Sequence, residues 1–102
     1  MVYGLNIRPE ARSDLVTAAT CYEEIDADLA TRLLDSFQTC IARLMVFPLT
    51  GHVVYRDIRR VVLDRFPCSV LYRVSGTEVF VVAMIHQRRD PDQSRQTVLG
   101  RG

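Results

Sequence analysis

The sequence predicts an α+β domain: an N-terminal strand, a helix hairpin, then a three-stranded antiparallel meander, with the helices packed on one face of a mainly antiparallel sheet. Three observations carry that reading. Apolar residues alternate at period two before Pro9, recur at steps of three and four between Ala11 and Leu44, and return to period two from Ile58 onward. Asp26 divides the helical stretch, and Phe66-Pro67 and Ser75-Gly76-Thr77 divide the final one.

Val2 to Ile7 places Tyr3, Leu5 and Ile7 on one side, the pattern of a short half-buried strand. Arg8-Pro9 breaks it. Proline suits the first helical turn because its missing N–H has no partner to lose there. Leu15, Ala18, Ala19, Tyr22 and Ile25 then mark one helical face, leaving Arg12, Glu23 and Glu24 outside. Asp26 is placed to cap a second helix, whose stripe is Ala30, Leu33, Leu34, Phe37, Ile41 and Leu44. So short a connection makes the helices antiparallel neighbours. Phe47-Pro48-Leu49-Thr50-Gly51 ends the second helix, and His52 to Asp57 reads as a loop or ragged strand.

Strands follow at Ile58–Leu63, Cys68–Val74 and Glu78–Gln87, the last two joined by a hairpin turn. Strict alternation in the last strand sets Phe80, Val82 and Met84 against Val79, Val81, Ala83 and Ile85. A strand apolar on both faces is central and covered on both. The hairpin covers one face, and the other is left for a partner. The expected core is Leu15, Tyr22, Leu33, Phe37, Ile41, Leu44, Val62, Val70, Val82 and Met84.

A chain of 102 residues supports one domain, here residues 1–102, in which 92–102 lack aromatics and periodicity and read as a tail. No apolar run approaches the ~20 residues of a membrane span, and the N-terminus lacks a signal-peptide plan, so a cytosolic location is expected. Cys21, Cys40 and Cys68 are odd in number and far apart, which argues against a disulfide framework or zinc site. They read as small buried residues, with Cys68, between Arg65 and Arg73, the one candidate for a reactive thiol.

All 13 basic residues are arginine. Residues 1–50 carry four of them against seven acids, whereas residues 51–102 carry nine against five. GC-rich codon usage accounts for the absence of lysine but not for that concentration. Guanidinium groups pair bidentately with phosphate or carboxylate, so the second half can recognise an anion or an acidic protein. Arg59 and Arg65 share a face of their strand if it runs unbroken, with Arg60 and Asp64 on the other, and Arg73, Arg88 and Arg89 add to the set. The alternative is a solvated rim with Arg60–Asp64 and Arg65–Asp64 pairs of little energetic value. His86, beside Arg88 and Arg89, is the one residue placed to exchange protons near neutral pH. There is no glycine-rich phosphate loop, H-E-x-x-H or G-x-S-x-G, and neither a metal nor a cofactor is expected.

Arg59-Arg60, Arg65-Phe66-Pro67, Leu71-Tyr72-Arg73-Val74 and His86-Gln87-Arg88-Arg89-Asp90-Pro91, in this order of elements, resemble the RelE/ParE superfamily of bacterial toxins, on its ParE side. The resemblance spans about Ile7 to Pro91. It implies the toxin of a type II toxin–antitoxin pair, of the kind tied to plasmid stabilisation, wrapped and neutralised by the C-terminal segment of a cognate antitoxin. RelE-like members resemble one another in cleaving mRNA on the ribosome, commonly with lysines and a C-terminal aromatic. This chain has no lysine and no aromatic after Phe80. His86, Arg65 and Arg73 match the region of the catalytic residues, but arginine is too basic for a general base, leaving Asp64, Glu78 or His86. ParE-like members resemble gyrase inhibitors that act by binding. The departures favour that branch, with Arg59, Arg60, Arg65, Arg73, His86, Arg88 and Arg89 as target- or antitoxin-binding residues and no sequence-specific DNA contact by the toxin alone. Ribosome-dependent RNA cleavage and a degenerate, non-toxic binding module are the alternatives.

Overall fold

A computed structural model describes residues 2–86. The chain forms β1 (Gly4–Ile7), α1 (Pro9–Ile25), α2 (Ala27–Val46), β2 (His52–Tyr55), β3 (Ile58–Val62), β4 (Cys68–Ser75) and β5 (Glu78–His86). Gln87, Arg88, Arg89 and the expected tail lie outside the described residues.

Local chemistry sets the helix ends. Arg8 is extended and Pro9 opens α1, as its fixed φ favours. The Asp26 carboxylate accepts from the Asp28 amide at 2.9 Å, so one residue closes α1 and caps α2. The resulting hairpin buries Ala11, Leu33, Phe37, Cys40, Ile41 and Leu44 against the sheet, with Leu15, Ala18, Ala19 and Tyr22 packed at the margin. The stripes are narrower than the periodicity suggests: Ile25, at the last turn of α1, is 74% exposed, and Leu34 also faces solvent.

The sheet has five strands in the order β1-β5-β4-β3-β2. His52–Tyr55 is a strand, not a loop, so the antiparallel meander runs through four strands, and β1 joins it parallel to β5. Gly76, at φ 58, makes the β4–β5 turn, a left-handed conformation that costs glycine little.

Strict alternation fails in β5. Leu71 pairs with Ala83 and Tyr72 with Val81, leaving Val82 as the extra residue of a bulge. The bulge resets the parity. Val79, Val81 and Met84 therefore pack under the helices, whereas Val82, Ala83 and Ile85 join Ile58 and Leu71 in a second cluster on the opposite face, with Tyr55 against it. That face is consequently not an open apolar surface; all five cluster residues are buried. Val62, expected in the core, is 42% exposed on the same side as Ile58.

One polar node ties the helical layer to the meander. The buried Tyr72 hydroxyl donates to the Pro48 carbonyl at 2.8 Å and accepts from the Gly51 amide at 2.9 Å. Arg59 donates to the carbonyls of Gly51 at 2.8 Å and Leu49 at 3.2 Å. A Cβ on Gly51 would lie 2.7 Å from the Tyr72 hydroxyl and 2.8 Å from the Arg60 carbonyl, so only glycine fits. Tyr72→Phe leaves a buried N–H and C=O unpaired and is expected to cost about 1–3 kcal/mol. Gly51→Ala is expected to cost a similar ~1–3 kcal/mol through overpacking. Urea unfolding of the purified chain checks both, and a midpoint unchanged in either variant contradicts the role given to the node.

Candidate functional site

The structure disperses the arginines that the sequence gathers. β3 ends at Val62, and Arg65 sits at the tip of the β3–β4 turn with φ 68. Arg59 and Arg65 therefore do not share a strand face. Arg59 is spent holding the loop after α2, so it is primarily structural. Arg60 is exposed on the face opposite the helices, in register with Leu71. Arg73 pairs with Phe80 across β4 and β5 and lays its guanidinium 5.5 Å from that ring. Arg56 stacks on Tyr55 at 5.2 Å in the same way. Neither Arg60 nor Arg65 pairs with Asp64; among the described residues the ion pairs are Arg8–Glu10 and Arg32–Asp28, both exposed.

His86 lies elsewhere. It pairs with Cys68 at the far end of β5 and lines a groove of about 500 Å³ between α1 and the sheet. Asp14, Ala18, Tyr22, Pro67 and Met84 also line that groove. The Tyr22 ring meets Phe66 edge-on at 5.2 Å beside it. Only the first half of β5 has β1 alongside: pairing ends at Ile7 with Val81, and the Arg8 amide closes it on the Val81 carbonyl at 3.0 Å. Beyond that point Asp14 takes over the edge, its carboxylate accepting from the Met84 amide at 3.1 Å. A helix side chain thus substitutes for a neighbouring strand, which blunts an exposed edge. The sequence signal for Asp14 was present: it falls one helical turn before Ala18 and two before Tyr22, a carboxylate on the inward face.

The thiols divide differently from expectation. Cys68 is buried in the core, and that burial raises its pKa, so the neighbouring arginines do not activate it. Burial also pushes Cys40 up to about 11, outweighing the opposing effect of Arg43. Cys21 is exposed rather than buried. Among the described residues no group of His, Cys, Asp and Glu could hold a metal ion. No helix there is long and apolar enough to cross a membrane.

The described residues thus form a helix hairpin laid on a mixed five-stranded sheet, with a groove between α1 and the second half of β5. The fold is similar to that of a chromosomal ParDE toxin–antitoxin system from P. aeruginosa, with a TM-score of 0.74 at 19% identity over 83% of this chain and 96% of that one. It is also similar to the toxin–antitoxin complex RelBE2 from Mycobacterium tuberculosis, with a TM-score of 0.57 at 18% identity over 84% of this chain and 99% of that one. No curated protein matches the sequence significantly. The family of ParE toxins of the type II toxin–antitoxin system parDE matches residues 5–91, and the chain belongs to it.

The thiol assignments are directly measurable. In the folded protein, iodoacetamide is expected to alkylate Cys21 alone at pH 8, with Cys40 and Cys68 reacting only after denaturation. Mass spectrometry reads the sites, and native labelling at Cys68 contradicts its burial.

Proposed function

We propose that the chain acts in the cytosol by binding and inhibiting an essential protein such as DNA gyrase, and that a cognate antitoxin neutralises it. Membership of the toxin family sets the class; the mode of action rests on one observation. His86 and Arg73 do not converge. Cys68, opposite His86, and Arg73 are five residues apart on β4, which at strand rise is roughly 16 Å. They also face opposite ways: His86 lines the groove beside α1, whereas Arg73 stacks on Phe80 on the other face. Cleavage of RNA by transfer to a neighbouring hydroxyl needs base, acid and cation around one phosphate. A histidine that far from Arg73, and on the opposite face, favours recognition over chemistry. Arg65 stands exposed at the turn tip in left-handed backbone, a conformation that costs an arginine roughly 1–2 kcal/mol and glycine little.

Induction of the toxin is expected to trigger the DNA-damage response while translation initially continues. Prompt translational arrest with cut mRNA would instead establish ribosome-dependent cleavage, and no phenotype would mark a degenerate member. Arg65→Gly is expected to hold or raise the melting temperature while lowering toxicity, whereas His86→Ala should lower toxicity only in proportion to any lost stability. Growth inhibition set beside thermal melting separates these outcomes. An all-or-none loss of toxicity in a folded His86→Ala variant would reverse the assignment.

A further inference from the structure

The stretch that ends α2 and leads into β2 presents apolar side chains on fixed backbone. Phe47 is 63% exposed, Leu49 65% and Val53 55%, and Val46 and Val54 are exposed beside them. These residues fall within nine positions of chain. Their backbone is held by Tyr72 and Arg59 through Pro48, Leu49 and Gly51. Thr50 closes the turn, its amide and hydroxyl both donating to the Phe47 carbonyl, at 3.3 and 2.8 Å. Exposed apolar residues scattered singly are ordinary, but five within nine positions of hydrogen-bonded backbone suit a contact surface. It also avoids the ordering cost that a mobile loop incurs on binding.

Two further observations define what would dock there. β2 is the outermost strand, so one side of its backbone faces no other strand among the described residues, and a partner segment can pair with it. Between residues 43 and 60, apart from Arg59, which holds the loop carbonyls, the charged side chains are Arg43, Arg56 and Arg60 against Asp57 alone. A second copy of the chain would bring like charges together, whereas an acidic segment is complementary. The surface lies at the opposite end of the strand order from β5 and its groove, so the two can be occupied at once.

We infer that Val46–Val54, with the outer edge of β2, is the surface that grips the toxin's protein target, through an acidic segment lying along β2 with apolar anchors against Phe47, Leu49 and Val53. This rests on the proposed mode of action by binding. The test uses the full chain, expressed from a titratable promoter and purified with its antitoxin, in two forms: the double variant Phe47→Ser, Leu49→Ser, and the double variant Arg56→Glu, Arg60→Glu. Both are expected to need about tenfold or more toxin for half-maximal growth arrest, the loss typical of removing central anchors. Antitoxin affinity by calorimetry and the melting temperature should stay unchanged. Should the serine variant fail to fold, the charge-reversal variant decides.

Full toxicity in a folded variant overturns the assignment. A parallel fall in antitoxin affinity makes the antitoxin the occupant, and a wild-type dimer that the serine variant dissociates makes it a second copy; both overturn it too. Cut mRNA on wild-type induction removes the binding mode itself, whereas intact mRNA with full toxicity in both variants removes this surface alone.

Discussion

The Tyr72 hydroxyl, held between the Pro48 carbonyl and the Gly51 amide, joins the end of the helix hairpin to the middle of the sheet. α2 must stop, turn and re-enter as an edge strand within five residues, and the polar groups of that turn are turned inward. Buried backbone groups demand partners. Tyr72 and Arg59 supply them from β4 and β3, which fixes where β2 begins and hence the position of the outer sheet edge. Burial raises the Tyr72 pKa, so the hydroxyl keeps its proton and remains a donor at neutral pH. The same fixing leaves Phe47 and Leu49 exposed, so a demand of backbone chemistry leaves apolar side chains at the surface as its by-product.

At the other edge, a similar demand is met by a different device. β1 covers only the first half of β5, and Asp14 of α1 supplies an acceptor where the neighbouring strand stops. Between these edges the Val82 bulge lets one strand feed two cores: the cluster beneath the helices and the smaller one around Ile58, Leu71 and Ile85. Had β5 alternated without the bulge, Met84 would lie on the face opposite the helices, and α1 would lose an anchor beside the groove.

The fold was largely legible in the chain because its determinants are local. Pro9, Asp26, Phe66-Pro67 and Gly76 each act within a few residues, and periodicity reports burial over one element at a time. β2 was read as ragged because it is exposed and bulged between Val53 and Tyr55, so little alternation survives. The candidate site was far less legible. Arg59 looked like a recognition residue because its partners, the carbonyls of Leu49 and Gly51, are reached by a turn of the chain that no spacing rule encodes. Arg65 could share its face only if the strand ran unbroken past Leu63, and β3 ends at Val62.

The sequence by itself determined the order and kind of every element but β2, the boundaries marked by proline, glycine and capping aspartate, the arginine-rich second half and the family. The tertiary structure alone decided which arginines remain available, which cysteine is exposed, that His86 and Arg73 face opposite ways, and that Phe47, Leu49 and Val53 are exposed on hydrogen-bonded backbone. The reason is physical. Capping and periodicity are interactions between near neighbours, whereas side-chain orientation follows from strand register, and a single inserted residue such as Val82 reverses it for everything downstream.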